Sequence, residues 1–538
     1  LRITKIIPSK PETRVVVVLI GLTLITIISN GIASVDQYDR DIGTWSYIGK
    51  AILEGQVPYR DVWDHKAPGL YYIYALIFSV LTPSLLGLKI GEIIAVLLAA
   101  PLIYWLSRKF GFRRIPAALT MLIYSLFISV ANSEVGGLTD ETYVHHPILI
   151  GYILLGSLII CNPRRTVNFL SIAFAAGFAF AVAFLIRQTA ILHVIVAVIV
   201  LAMLYLSSRS SRERRMGIGS MMALFTGFAI PVGVTFFYFW RNGALSDLID
   251  QAFLFNVNYL NVRESIPEML IRFHGELLRG FSEFTVLWLL SAIGIALAVI
   301  SRRNWLRGGE ALIVLMFLAD VLSWAVSLRF RFVDMALLVP SLALLTGYAL
   351  SKLEIETWWK EIRRRRAVDR RMEIGSGVTI ALALFLLILT IVPLSNVWLD
   401  GARSARRAAI YGIETPRGAA EDILAVIDSN VDPGDQVYLW GYRSGYYFLE
   451  DRTSPTRYIY NYPLVGRFGG VLAQDWVSAP DIDKFIEDLD KSRPKLIVTD
   501  LYSYHGTDAS YLDEFIAQNY QFLTFLPPET SVYILESP

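Results

Sequence analysis

The sequence predicts an α-helical polytopic membrane protein of about 11 transmembrane helices followed by a small α/β soluble domain. Three observations lead there. Of 538 residues, 54% are hydrophobic and only 18% charged, against about 25% charged in an ordinary soluble domain. Several uncharged stretches reach the roughly 18 residues needed to cross a hydrocarbon core. Beyond Pro416 the composition changes, and helical and strand periodicities alternate in a more highly charged chain.

The apolar runs fall at 15–33, 88–106, 115–132, 147–161, 168–186, 189–206, 216–239, 283–300, 310–327, 333–350 and 374–394. Basic clusters punctuate them: "RKFGFRR" at 108–114, "NPRR" at 162–165, "SSRSSRERR" at 207–215, "SRRNWLR" at 301–307 and "KEIRRRRAVDRR" at 360–371. An excess of Lys and Arg marks cytoplasmic loops. With the N-terminus inside, these clusters occupy every second connection. The first run shows no small-residue cleavage site and reads as a retained span. The expected location is the cell membrane, multi-pass, with a cytoplasmic N-terminus and an extracytoplasmic C-terminal domain.

Residues 69–83, "GLYYIYALIFSVLTP", are apolar but short. Runs of this length are more often interfacial than spanning, and Tyr71, Tyr72 and Tyr74 favour the headgroup level. This segment reads as a helix lying in the outer interface, which keeps the alternation of basic loops intact. The expected division is 1–395 for the membrane domain, with a first outer loop at 34–87, and 396–538 for the extracytoplasmic α/β domain. Within the latter, "GAAEDILAVIDSN", "DIDKFIEDLDKS" and "YLDEFIAQN" read as helices, and "DQVYLW", "TRYIY", "PKLIVTD" and "SVYILE" as strands. It has no Gly-rich phosphate loop and no evident catalytic trio, so it reads as a structural or acceptor-orienting cap.

The formal net charge is +2, and the single Cys161 excludes an intramolecular disulfide. Nothing points to nucleic acid, because the Arg-rich run at 363–371 borders a span on the expected inner side. The outer loops hold most of the acids, histidines and tryptophans. In the first of them, "DIGTWSYIGKAILEG" has helical spacing, with Trp45, Ile48 and Ile52 on one stripe and Ser46, Lys50 and Glu54 opposite. It predicts an amphipathic helix on the membrane surface. Asp41 at its start serves either as a helix cap or as a base for an acceptor hydroxyl.

In "DVWDHKAPG", Lys66 either snorkels or holds a phosphate as a point charge. The second loop gathers Asp140, Glu141, His145 and His146. Adjacent histidines point different ways, so His145, His146 and Glu141 are candidates for a divalent metal without forming the usual i, i+4 pair. Arg187 stands between two spans, either as an anchor or as a functional group. Arg329 and Arg331 sit at another outer edge, against the positive-inside trend, and either face an anionic partner or pair locally with Asp334.

Taken together, "DIGTWSYIGKAILEGQVPYRDVWDHKAPG" and "LTDETYVHHP" resemble the outer loops of GT-C glycosyltransferases. The branch they are most similar to contains protein O-mannosyltransferases and lipid A aminoarabinose transferases. The resemblance implies a GT-C type fold and inverting transfer of a sugar from a polyprenyl-phosphate donor to a lipid, glycan or protein acceptor beside the lipid bilayer. It places Asp41 on the family's catalytic acid, with Asp39 as a rival for that role, and Lys66 on the lysine of a "KPP" element. Asp140 or Glu141 falls on its second acid, and Arg187 on a basic position before a span. The donor phosphate is expected near Lys66, Arg187, Arg329 and Arg331. Some family members carry a divalent metal and others none. The competing functions are a transporter or flippase of lipid-linked sugars, and an O-antigen-type polymerase or ligase using the later loop at 240–282.

Overall fold

The computed structural model describes residues 11–34, 40–132, 137–160, 166–207, 211–257, 265–300, 309–352, 395–407, 409, 419–468, 471–472, 479–500, 509–527 and 530–536. The membrane part opens with α1 (Pro11–Ala33), α2 (Arg40–Leu53), α3 (Pro68–Val80), α4 (Leu85–Lys109) and α5 (Arg114–Asn132). It continues through α6 (Asp140–Tyr143), α7 (His145–Ile160), α8 (Thr166–Ile186), α9 (Ile191–Ser207) and α10 (Ser211–Arg241). Among the described residues, eight helices are long and apolar enough to cross a membrane. A ninth follows if Ile266–Glu283 and Thr285–Ile300, bent by 94°, form one broken span.

Every predicted span but the last falls on a described helix. The helix Glu310–Ala325 has only 16 residues, and the run 374–394 lies outside the described residues. At 13 residues, α3 is about 20 Å long, too short for a core about 30 Å thick. It is the short helix expected over 69–83.

The C-terminal part contains a four-stranded sheet in the order β1-β4-β6-β5. Here β1 is Val437–Trp440, β4 is Leu496–Asp500, β5 is Tyr520–Leu526 and β6 is Thr530–Leu535; β2 (Arg467–Phe468) and β3 (Val471–Leu472) make a separate two-stranded pair. Strand β4 runs parallel to β1 and antiparallel to β6. The helices Ala419–Asn430, Ala479–Ser492 and Ser510–Asn519 appear where their periodicity predicts them. The core of this part packs Tyr438 and Trp440 of β1 against Phe485 at ring distances of 5.3 and 5.7 Å.

Two sequence expectations change. The "TRYIY" segment joins neither sheet; residues 452–461 form an irregular strap. Its backbone bonds go elsewhere, with Trp63 N–H donating to the Arg457 carbonyl at 2.8 Å. Helix α2 also hides most of its polar face: Ser46 is fully buried and Lys50 nearly so, while Glu54, just past its end, is exposed. One side of α2 packs on α3, with Trp45 edge-on to Tyr74 at 6.2 Å. The other receives the C-terminal part, where Thr44 Oγ1 meets Ser444 Oγ at 2.5 Å and the Tyr47 and Tyr447 rings lie 5.4 Å apart. A second layer of protein covers much of the stripe expected to face water.

Candidate active site

The site is assembled where four connections meet. Pro68 occupies the first turn of α3, where its missing N–H costs nothing. Gly69 then lets α3 lie directly on the end of α8: a Cβ there would stand 2.6 Å from the Leu185 carbonyl oxygen. This close approach brings Lys66 alongside Arg187. Helix α8 stops at Ile186, and Arg187 adopts extended dihedrals (φ −148°, ψ 120°) before a short 3₁₀ turn, Gln188–Ala190. The second loop supplies Asp140 and Glu141 on the one-turn helix α6, each 2% exposed.

These groups converge. Lys66 Nζ donates to Asp140 Oδ1 at 2.8 Å and stands 5.3 Å from the Trp45 ring centre. Arg187 Nη1 donates to Asp140 Oδ2 at 2.5 Å and to Glu141 Oε1 at 2.6 Å. Its Nη2 lies 3.8 Å from Asp334 Oδ1. Asp334 in turn accepts from Arg331 Nη2 at 3.1 Å and Nε at 3.2 Å. Burial works against the charge on Lys66, but Asp140 and Glu141 outweigh it and hold the ammonium's pKa above its ordinary value. Burial likewise opposes the Arg187 charge, and Glu141 and Asp140 overcome it. Lys66, Arg187 and Arg331 face Asp140, Glu141 and Asp334 with formal charges of +3 and −3.

Arg331 is the most open of these, its side chain 45% exposed. Arg329 is buried nearby, between Leu328 and Phe330. Both neighbours have left-handed backbone (φ 55° and 49°), a conformation that costs energy in residues with a Cβ and recurs at functional sites. The Phe330 ring is fixed there by Phe273 at 4.7 Å and Trp324 at 5.2 Å.

A second group lies on the other side of Lys66. Asp64 is 2% exposed and accepts from Tyr71 Oη at 2.8 Å, Tyr460 Oη at 2.7 Å and the His65 N–H at 2.8 Å. Burial, then the charge of Asp64, pushes the Tyr71 and Tyr460 phenols up, so both stay donors. The His65 ring meets Asn256 Oδ1 at 3.1 Å through Nδ1, while Asn256 Nδ2 donates to the His65 carbonyl at 2.7 Å. Asp41, in the first turn of α2 and partly exposed, acts electrostatically on both His65 and Tyr460. Asp39 lies outside the described residues.

Of the predicted residues, the fold unites Lys66, Asp140, Glu141, Arg187 and Arg331. Sequence reading missed Asp64, Tyr71 and Tyr460; only the crowding of acids in the first loop hinted at Asp64. The metal candidates separate. His145 Nδ1 pairs with Tyr124 Oη at 3.1 Å, and His146 points to the carbonyls of Ala95 and Tyr143 at 2.7 and 3.1 Å. Glu141 is taken by Arg187. Among the described residues no group of three His, Cys, Asp or Glu is arranged to hold a metal, so His145, His146 and Glu141 do not fit one. A cavity of about 600 Å³ is lined by Asn30, Ser34, Glu92, Asn132, Glu283 and Asp400 among others, and by none of the charged residues named above. It reaches the second loop through Leu138, whose N–H donates to Glu92 Oε1 at 3.2 Å.

The family described as "Putative competence-induced protein Ccs4 N-terminal domain" matches residues 10–397. The chain belongs to this family. No curated protein matches this Ccs4-family chain. Among solved structures it is similar to ArnT from Cupriavidus metallidurans bound to undecaprenyl phosphate, at 14% identity and a TM-score of 0.57. That match covers 96% of this chain and 97% of ArnT. The apo state of ArnT gives a TM-score of 0.53 at the same identity, over 97% and 98% of the two chains. A mutant of the arabinofuranosyltransferase AftD from Mycobacteria gives 0.51 at 13% identity, over 97% of this chain but 41% of that chain. The Ccs4-family chain therefore has the GT-C fold of polytopic membrane proteins.

Proposed function

We propose that this chain transfers a sugar from a polyprenyl-phosphate donor to an acceptor hydroxyl at the outer face of the membrane, with inversion at the anomeric carbon. One observation carries the reading: Lys66, Arg187 and Arg331 converge at the loop ends of a GT-C fold. The likeness to a protein solved with undecaprenyl phosphate supports a lipid phosphate as their partner.

In this reaction the acceptor oxygen attacks the anomeric carbon as its bond to the phosphate oxygen breaks. The leaving group is already an anion and needs no proton, only cations to receive its charge. Because the three cations are balanced by three carboxylates, the phosphate competes with Asp140 and Asp334 for Lys66 and Arg331. Arg329 supplies further positive charge nearby. Asp41 takes the proton of the acceptor hydroxyl. A transport reading has less support, because the ionisable pairs inside the bundle, Lys89–Glu92 and His193–Asp320, are buried against each other at 3.2 and 3.3 Å.

The test is Asp41→Asn, assayed for transfer from a radiolabelled undecaprenyl-phosphate sugar into the envelope fraction. Transfer is lost while the melting temperature holds. Near-normal turnover by that variant would sink the assignment.

A further inference from the structure

A tyrosine of the C-terminal part reaches the donor side of the site. Tyr460 is 1% exposed and reaches Asp64 across 396 residues of sequence. We propose that Tyr460 is a positioning residue for the donor phosphate, acting through Asp64 and Tyr71 to hold Lys66 in place. This rests on the reading that Lys66 receives that phosphate.

The chain of contacts is short. Asp64 stands two residues before Lys66 and is held by the hydroxyls of Tyr460 and Tyr71 on its two oxygens. The Tyr71 oxygen also accepts the Lys66 N–H at 3.1 Å, and Tyr59 Oη donates to the Lys66 carbonyl at 2.7 Å. Both backbone polar groups of Lys66 are thus fixed by tyrosines, one of them shared with Asp64. Removing the Tyr460 hydroxyl leaves Asp64 Oδ1 with the His65 N–H alone and takes away one of the three bonds that fix the carboxylate plane. Tyr71 must then follow Asp64 or Lys66, since one hydroxyl cannot serve both in new geometry. A shift of the Lys66 backbone moves Nζ away from Asp140 and from the phosphate position.

Tyr460 itself is held firmly. The strap carrying it is clamped by Arg457, whose Nη2 donates to Asp247 Oδ1 at 2.8 Å and to the Tyr59 carbonyl. Tyr59 has left-handed backbone (φ 71°) and is fully buried, so this clamp holds a conformation the chain would otherwise leave. The Trp63 and Tyr460 rings meet edge-on at 5.6 Å. The C-terminal domain is in this way part of the site's frame.

The experiment uses the full chain in nanodiscs, titrated with undecaprenyl phosphate and with undecaprenol, which lacks the phosphate. Tyr460→Phe weakens undecaprenyl phosphate by about tenfold, the scale of one hydrogen bond to a charged group, and leaves undecaprenol unchanged. The matched control is Tyr47→Phe. It removes another hydrogen bond to the C-terminal domain, Ser454 N–H to Tyr47 Oη at 2.9 Å, that does not lead to Lys66. That variant binds both lipids as the parent does. Equal losses in the two variants, equal losses for the two lipids, or no loss in Tyr460→Phe would each overturn the inference. Lys66→Met separates the levels. If it leaves undecaprenyl phosphate binding intact, the phosphate site itself is misplaced. If it weakens binding while Tyr460→Phe does not, the positioning role alone fails.

Discussion

Lys66 and Asp140, 74 residues apart, form an ion pair of 2.8 Å in which the carboxylate is 2% exposed and the lysine side chain 19%. The partly open lysine is the member of the pair that an incoming anion can reach. Lys66→Met should weaken undecaprenyl phosphate binding by about 10–100-fold, the value of one charge-assisted contact. Stability should fall little, because Arg187 still neutralises Asp140. A binding titration beside a melting curve measures both.

Arg187 holds a different position, because two carboxylates depend on it. Asp140 and Glu141 are both buried, and Arg187 Nη1 bonds each. Arg187→Met strands Glu141, leaves Asp140 to Lys66 alone, and should destabilise the protein by about 3–5 kcal/mol. Adding Glu141→Gln should recover part of the loss, since Lys66 still covers Asp140. Thermal unfolding of the single and double variants in one detergent tests this.

Gly69→Ala should separate the two halves of the site. Its new Cβ would stand 2.6 Å from the Leu185 carbonyl oxygen, a backbone atom that cannot swing aside. The expected cost is about 1–3 kcal/mol of overpacking. Turnover at saturating donor should fall further than this loss of stability explains, because α3 carries Lys66 away from Arg187. Activity compared at a temperature where both proteins are fully folded separates the effects.

His65 gives the site a pH signature in stability. Burial lowers its pKa below 6.5, with Asp64 opposing and Lys66 reinforcing the shift. The folded chain keeps the ring neutral where the unfolded chain protonates it. This contribution is complete above pH 6.5 and is lost as the pH falls through the lower folded-state value. From pH 7 to pH 5 the parent protein should therefore lose more melting temperature than His65→Gln does, each compared with its own value at pH 7.

Much of the membrane part was legible. Apolar runs and the basic clusters between them located the helices, and the length of α3 alone marked it as unable to span. Lys66, Asp140 and Arg187 stood out because charge at the edge of an apolar run is costly unless it is used or paired. Their mutual contacts were not legible, because nothing in the spacing of Gly69 reveals that it lies on the Leu185 carbonyl. The polar stripe of α2 misled for a related reason: alternation of polar and apolar residues reports what can face water, and another layer of the same chain can take the place of water.

The sequence by itself determined that this is a many-helix membrane protein with a soluble α/β end, and which loop charges are candidates for chemistry. Hydropathy and charge are local properties, and the bilayer acts on them segment by segment. Only the tertiary structure decided that Asp140 serves Lys66 and Arg187 together, that His145 and His146 turn away from Glu141, and that "TRYIY" is a strap. Those outcomes depend on contacts between residues as far as 398 positions apart, where close packing and the need to pair buried charges override local periodicity.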